Sequence, residues 1–228
     1  DRSPSRGLGD VYKRQEEIDR AVKKNQVQSK MTIIKPFYQQ DFFIDSYTHL
    51  IQKTLEKTAS TYVLFSYHGI PQHHLPEKCK GCFTPCHNLV NIKDCYRAQC
   101  YKTSQLIAQR LGLSDHQYKT SFQSRLGKRP WIKPYSEQII QNISKDGNSN
   151  IVVATPSFVS DCLETLEEVA MDLKENFENL GDHHQLTAVY CLNDDDYFVE
   201  RLALYLKKTI HLNTDPEFLS SSERPPSH

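Results

Sequence analysis

Runs of β-branched and aromatic residues alternate along this chain with segments of helical periodicity. The runs typical of buried strands are TYVLFSYHG, NIVVATPSFVS and LTAVYCLN, and YKTSFQSR is a further strand candidate. Apolar residues three and four apart predict helices over residues 41–57, 96–111, 136–144, 161–173 and 195–207. This alternation predicts an α/β fold in which helices cover both faces of a parallel sheet.

The composition of the chain indicates whether it can form a core and which classes of partner its charge favours. Hydrophobic residues make up 38% of the 228 residues, which is enough for a packed core. Basic and acidic residues both number 28, so the charge gives no case for nucleic acid or an anionic membrane as partner. No apolar run approaches the ~20 residues that span a bilayer.

One predicted helix, over residues 161–173, carries an apolar stripe of Leu163, Leu166, Ala170 and Leu173.

The two ends of the chain differ from its body. Residues 1–15, DRSPSRGLGDVYKRQ, have no periodicity and are interpreted as a non-native scar, followed by a lead-in over residues 16–30 with no assigned structure. The regular pattern covers residues 31–212, and the Ser- and Pro-containing tail at 213–228 is predicted to be disordered. The chain does not begin with Met, and we expect it to be a fragment whose true start is missing.

A histidine follows the first predicted strand in the segment SYHGIP. Gly69 permits a turn there and Pro71 stiffens the exit from it. An imidazole held on such a strand end can act as a base near neutral pH or as a metal ligand, which makes His68 a candidate catalytic residue. The alternative interpretation is a loop histidine that is hydrogen-bonded to backbone.

Three carboxylates, Asp161, Glu164 and Glu168, are spaced by three and four residues and therefore share one face of the predicted helix. Such a row can pass protons or hold a hard cation, and mutual repulsion predicts a raised pKa for one or more members. The alternative is a capping box made by Asp161 and Glu164, with the remaining acid solvated.

The third group of candidates lies around the chain's single tryptophan. Trp131 stands in a rigid loop between Pro130 and Pro134, where it can stack on a flat ligand or serve as a hydrophobic plug. Ser124 follows a predicted strand, as do His68 and Asp161. Because ligands bind beyond the carboxyl ends of parallel strands, we expect these residues to meet at one rim of the sheet.

Four segments resemble, in the same order, the motifs of the ferrochelatase family. They are SYHGIP, SFQSRLGKRPWIKPYSE, PSFVSDCLETLEE and CLNDDDYFVERLALYL, and the resemblance runs over residues 33–206. It implies the second of two Rossmann-like domains of the chelatase class, with the N-terminal half missing and a porphyrin cleft between the halves. The implied activity is a lyase that inserts ferrous iron into protoporphyrin IX to form protohaem, the terminal step of haem biosynthesis. The implied location is the cytoplasm.

Some questions stay open beside this resemblance. The alternatives are a chelatase for another tetrapyrrole such as coproporphyrin, or an inactive Fe–S or metal-binding fragment. Peripheral contact with a membrane and the oligomeric state are also undetermined.

The resemblance also implies roles for individual residues. His68 and Glu164 match a catalytic pair that handles the pyrrole protons and the substrate iron. Asp161 and Glu168 match an acidic metal path or proton relay, while Trp131 and Ser124 match porphyrin-binding positions. Cys162 is a departure, because many relatives have histidine at that place in the motif.

Five of the seven cysteines lie between Cys79 and Cys100. The spacing of four of them, in an insert over residues 72–95, suits an Fe–S cluster or a tetrahedral zinc; they are Cys79, Cys82, Cys86 and Cys95. Relatives without this insert also have a cysteine at Cys100, which is therefore left out of the ligand set. The arrangement resembles a subset of bacterial ferrochelatases with an internal [2Fe–2S] cluster, and zinc or a metal-free thiol loop is the alternative.

Overall fold

The computed structural model describes residues 20–21, 24, 34–58, 60–76, 79, 95–125, 127 and 129–210. The predicted scar at 1–15 and the predicted tail at 213–228 lie outside the described residues. So do Cys82, Cys86 and most of the lead-in, and nothing in the structure tests the predictions made for them.

Four parallel strands form the sheet in the order β2-β1-β3-β4, which confirms the predicted α/β class. The strands are β1 (Val63–His68), β2 (Tyr118–Gln123), β3 (Asn150–Ala154) and β4 (Gln185–Ala188). The strand predicted from LTAVYCLN is shorter than that run, since β4 ends at Ala188 and residues 189–193 form a loop. All four carboxyl ends lie at the same edge, because the pairing is parallel throughout.

Helices cover both faces of the sheet because successive strand side chains point in opposite directions. Phe65 packs in one apolar cluster with helices α1 (Asp41–Lys57), α2 (Tyr96–Leu111) and α6 (Asp196–Ile210). Leu64 packs in the other with α3 (Ser136–Lys145) and with the chain that follows β3. Among the described residues, no helix has both the length and the apolar character to cross a bilayer.

The helix predicted over residues 161–173 begins two residues later than expected. Cys162 is its N-cap, and the Cys162 N–H donates to Thr165 Oγ1 at 3.0 Å in a capping box. The box therefore involves Cys162 and Thr165, and the predicted pairing of Asp161 with Glu164 is wrong. Asp161 lies before the first helical turn.

This helical segment also changes its winding. It runs from α4 (Leu163–Leu166) through a π-helix (Glu168–Leu173) into α5 (Lys174–Glu178). Its buried side chains are spaced by four residues, and they are Thr165, Val169, Leu173 and Phe177. The predicted stripe is wrong for Leu163 and Leu166, which are 68% and 44% exposed, because the wider π turn brings every fourth residue to the core.

Candidate active site

The site is built on the carboxyl ends of β1 and β2, where His68 and Gln123 lie opposite each other in register. The two segments stay close where the strands end, since the Gly69 N–H donates to the Gln123 carbonyl at 2.8 Å. A Cβ on Gly69 would lie 2.8 Å from that carbonyl oxygen and 3.2 Å from a ring carbon of Trp131. Glycine is therefore required at this position by the close approach of β2 and Trp131.

Backbone and ring contacts fix His68. Its N–H donates to Ser157 Oγ at 2.9 Å, and its carbonyl accepts from the Tyr96 hydroxyl at 2.8 Å. The ring nitrogen Nδ1 lies 2.5 Å from the Gly69 carbonyl. Because a carbonyl can only accept, Nδ1 carries the hydrogen, and the lone pair of the neutral ring is at Nε2.

Two aromatic side chains flank the half-buried His68 ring. The ring centroid of Trp131 lies 6.3 Å from that of His68, and that of Phe158 lies 6.0 Å away. The alternative of a backbone-bonded loop histidine accounts for Nδ1. It leaves Nε2 available for a proton or a metal.

Glu164 is the second residue of α4 and is held from the sheet by Gln123. The Gln123 Nε2 donates to the Glu164 carbonyl at 2.9 Å, while Gln123 Oε1 accepts from Ser66 Oγ at 2.5 Å. Ser66 is fully buried, so the amide of Gln123 joins the sheet interior to the start of α4.

Hydrogen bonds from the Cys162 thiol and from its own backbone lower the pKa of Glu164, and the charge of His68 lowers it further. Because Gln123 lies opposite His68 in the strand register and donates to the Glu164 carbonyl, His68 and Glu164 lie at the same edge of the sheet. The expectation of a raised pKa is wrong for Glu164, because its neighbours are donors and a potential cation rather than other carboxylates.

The Asp161 carboxylate is held by donors from three other residues. Its Oδ2 accepts from Asn193 Nδ2 at 2.6 Å, and its Oδ1 accepts from Thr165 Oγ1 at 3.0 Å and from the Cys191 N–H at 3.2 Å. Burial favours the neutral acid, but the donors on Asn193, Cys191 and Thr165 outweigh it and lower the pKa of Asp161. The predicted rise in pKa is wrong here for the same reason as at Glu164.

A hydrogen bond joins Ser124 to Glu168 beyond the end of β2. Ser124 has a positive φ of 64° directly after β2, and its hydroxyl donates to Glu168 Oε2 at 2.5 Å. Both residues, together with Gln123 and Trp131, line a cavity of about 620 Å³. His68 and Glu164 are not among the residues that line this cavity.

Trp131 is 7% exposed, and a backbone bridge joins it to Pro71. The indole thus packs mainly against protein, behind Gly69 and beside the His68 ring. The burial of Trp131 is that of a hydrophobic plug, and the residue also lines the cavity described above.

Sequence reasoning missed three residues that hold the site. Gln123 precedes Ser124 in a predicted strand, Phe158 lies in the PSFVS segment, and Asn193 closes the apolar run of β4. A polar amide at the end of a buried strand was the available signal for Gln123 and Asn193. Within the described residues, no three His, Cys, Asp or Glu side chains converge to hold a metal ion.

The fold and the rim define an α/β protein with an imidazole and a carboxylate at the ligand-binding edge of a parallel sheet. The chain belongs to the ferrochelatase family, since the family model described as Ferrochelatase matches residues 10–210.

Curated relatives agree with this assignment. The chain is similar to the ferrochelatase of Legionella pneumophila (strain Corby), with 45% identity over 175 residues, 75% of this chain and 51% of the relative. It is similar to the ferrochelatase of Coxiella burnetii (strain Dugway 5J108-111), with 40% identity over 191 residues, 80% of this chain and 53% of the relative. The chain spans about half the length of these curated relatives.

Proposed function

We propose that this chain forms one wall of a ferrochelatase site that inserts ferrous iron into protoporphyrin IX, the terminal step of haem biosynthesis. The observation that carries the proposal is that His68 and Glu164 lie at one edge of the sheet, joined through Gln123, which pairs with His68 and donates to the Glu164 carbonyl. The proposal is supported by the relatives, which are named ferrochelatases.

The two side chains suit different parts of the reaction. Metal insertion exchanges one ferrous ion for two pyrrole protons, so the site needs a proton acceptor and a place for a cation. The Nε2 lone pair of the neutral His68 ring can accept a proton, since Nδ1 donates to the Gly69 carbonyl. Glu164 has a lowered pKa and stays ionised near neutral pH, which makes it a weak base and a good partial ligand for iron. We therefore assign proton acceptance to His68 and cation contact to Glu164.

The cavity that Ser124 and Glu168 line has side chains suited to a path for ions. Glu168 and Asp172 are carboxylates in its lining, and Ser124 donates to Glu168. We propose that Glu168 carries protons or iron along this route and that Ser124 and Trp131 border the porphyrin. Asp161, which the sequence placed on the same route, is not in the lining.

We also propose a [2Fe–2S] cluster held by Cys79, Cys82, Cys86 and Cys95, with zinc as the second candidate. Cys79 and Cys95 are buried in the same apolar cluster, and soft thiolates in a water-poor setting fit either metal. The insertion involves no net redox change, so the cluster would supply structural cross-linking. The cytosol keeps such thiols reduced, and we propose a cytoplasmic location for the chain.

The activity is tested with an anaerobic insertion assay that supplies ferrous iron with protoporphyrin IX or coproporphyrin. The assay uses this chain alone and fused to the half of the Legionella ferrochelatase that it does not span. We expect the fused protein to prefer protoporphyrin IX. Preference for coproporphyrin would show that the proposed substrate is wrong. The absence of insertion with either porphyrin would show that the proposed activity is wrong.

The role of His68 is tested by His68→Ala in the fused protein. We expect insertion to fall by about 100-fold or more while porphyrin binding, followed by absorbance, is retained. His116→Ala is the matched control, because His116 is exposed and precedes β2 at the opposite edge of the sheet. Retained insertion in His68→Ala would remove His68 from the mechanism.

The cluster is tested by anaerobic purification. We expect visible Fe–S absorbance that is lost in Cys82→Ser and kept in Cys162→Ser, since Cys162 is outside the proposed ligand set. A colourless protein with one zinc per chain would show that the cysteines bind zinc and not an Fe–S cluster.

A further inference from the structure

Asn193 lies in the loop after β4 and contacts the segment that leads from β3 into α4. Its backbone N–H donates to the Val159 carbonyl at 2.9 Å. Its side-chain Oδ1 accepts from the Asp161 N–H at 2.8 Å, and its Nδ2 donates to Asp161 Oδ2 at 2.6 Å. One residue thus makes three hydrogen bonds to the chain between β3 and α4.

The segment held in this way carries the groups that surround His68. Ser157 accepts from the His68 N–H, and Phe158 packs on the His68 ring. Glu164 lies at the other end of the segment, where Gln123 holds its carbonyl. Asn193 and Gln123 therefore hold the segment from two different strand ends, β4 and β2.

The position suits asparagine for two independent reasons. Asn193 has a positive φ of 45°, a conformation that asparagine adopts more readily than most residues with a side chain. The contact also requires a side chain with both an acceptor and a donor, because the Asp161 N–H donates and the Asp161 carboxylate accepts. Asp satisfies the first requirement but not the second, and glycine satisfies only the first.

Asp161 transmits this contact to α4. Its Oδ1 accepts from the Thr165 hydroxyl, which in turn accepts from the Cys162 N–H at the start of the helix. Both carboxylate oxygens are thus occupied by protein donors, and a proton on Asp161 would remove an acceptor from the cluster.

We propose that Asn193 is a positioning residue that fixes the segment bearing Phe158 and Glu164 against His68, with Asp161 as its anchor. In this assignment, which rests on the proposed function, Asp161 is neither a proton carrier nor an iron ligand. Its carboxylate is required only as the partner of the Asn193 amide.

A swap of the two side chains separates an anchor from a relay. Asn193→Asp places two carboxylates in contact, whereas the double variant Asp161→Asn with Asn193→Asp restores one amide and one carboxylate in exchanged positions. If Asp161 is an anchor, the swap restores the contact and the activity. If its carboxylate carries protons or iron, the swap restores the contact but not the activity.

The first measurement is amide hydrogen exchange on this chain, which does not depend on catalysis. We expect the Asp161 amide to exchange about 10-fold faster in Asn193→Asp and Asn193→Gly, and at nearly the original rate in the swapped protein. Asn142→Asp, on the exposed side of α3, is the matched control. Unchanged exchange in the single variants, or no recovery in the swap, would overturn the proposal.

The second measurement is the insertion rate of the fused protein. We expect Asn193→Asp to lower kcat by about 10- to 100-fold with an unchanged KM for porphyrin, and the swap to recover kcat. A swapped protein with restored exchange but no recovery of kcat would return Asp161 to the relay and overturn the anchor. If the parent protein inserts no iron, the proposed function fails, while the exchange data still decide whether Asn193 positions the segment.

Discussion

At the scale of single residues, Gly69 determines how closely the ends of β1 and β2 pack behind the catalytic candidate His68. The chain there is confined by the Gln123 carbonyl on one side and by the Trp131 ring on the other. The backbone of β2 cannot move away cheaply, because its residues are paired with β1 along the whole strand. A single methyl group is therefore enough to disturb the rim.

We expect Gly69→Ala to lower the free energy of unfolding by about 1–3 kcal/mol, since overpacking forces backbone or Trp131 to shift. The fluorescence of Trp131, the single tryptophan of the chain, should change with it. Urea unfolding and the emission spectrum measure the two effects.

Gly112→Ala provides the contrast for this prediction. A Cβ on Gly112 meets nothing within 4 Å, although its φ of 70° makes any side chain strained. We expect this variant to lose some stability and to keep the emission spectrum of Trp131. An unchanged spectrum in Gly69→Ala as well would contradict the close packing described here.

At the scale of elements, the π-helix Glu168–Leu173 decides which side of the acidic segment enters the core. Leu173 is 4% exposed in the apolar cluster under the sheet, while Leu163 in the first turn is 68% exposed. Both were placed on one stripe by their spacing in the sequence. The winding of the π-helix separates them.

This winding predicts a large difference between two chemically identical substitutions. We expect Leu173→Ala to cost about 2–5 kcal/mol of unfolding free energy, because it leaves a cavity in the core. Leu163→Ala should stay within about 0.5 kcal/mol of the parent, since its side chain is exposed. Equal losses in urea denaturation would show that the segment packs as a regular α-helix.

At the scale of the whole molecule, the loops that follow the four strands lie at the carboxyl edge of the sheet. The acids Glu164 and Asp161 lie among these loops. Hydrogen bonds lower the pKa values of Glu164 and Asp161 in the folded chain, below their ordinary values of 4.5 and 3.8. The unfolded chain therefore binds protons more readily than the folded chain in the acidic range. Stability from these groups is complete above the ordinary values and is lost as the pH falls through the lowered ones.

We expect Asp161→Asn to lose less unfolding free energy than the parent between about pH 6 and about pH 3, because one of the depressed carboxyls is absent. The measurement is urea denaturation across that range. Asp182→Asn removes the same charge at an exposed position away from Asn193 and controls for net charge. If the unfolding free energy of Asp161→Asn fell with pH as steeply as that of the parent, Asp161 would not contribute to acid stability.

The sequence by itself determined the class of fold and the position of the candidate site. Alternating buried runs and helical segments specify an α/β sheet because strand and helix periods are local properties of the chain. His68 and Ser124 could be assigned to strand ends from those runs, and parallel strands bring such ends to one edge. The bounds of α1 and α2 follow the predicted ranges for the same reason.

Only the tertiary structure decided how the acidic residues are used. The β2-β1-β3-β4 order brings Gln123 to the carbonyl of Glu164, and the loop after β4 brings Asn193 to Asp161. These partners are distant in sequence, so no local pattern reports them. The direction of a pKa shift depends on the donors and charges that packing places nearby. Spacing alone therefore predicted a raised pKa for one or more of the acids, whereas the folded chain lowers those of Glu164 and Asp161.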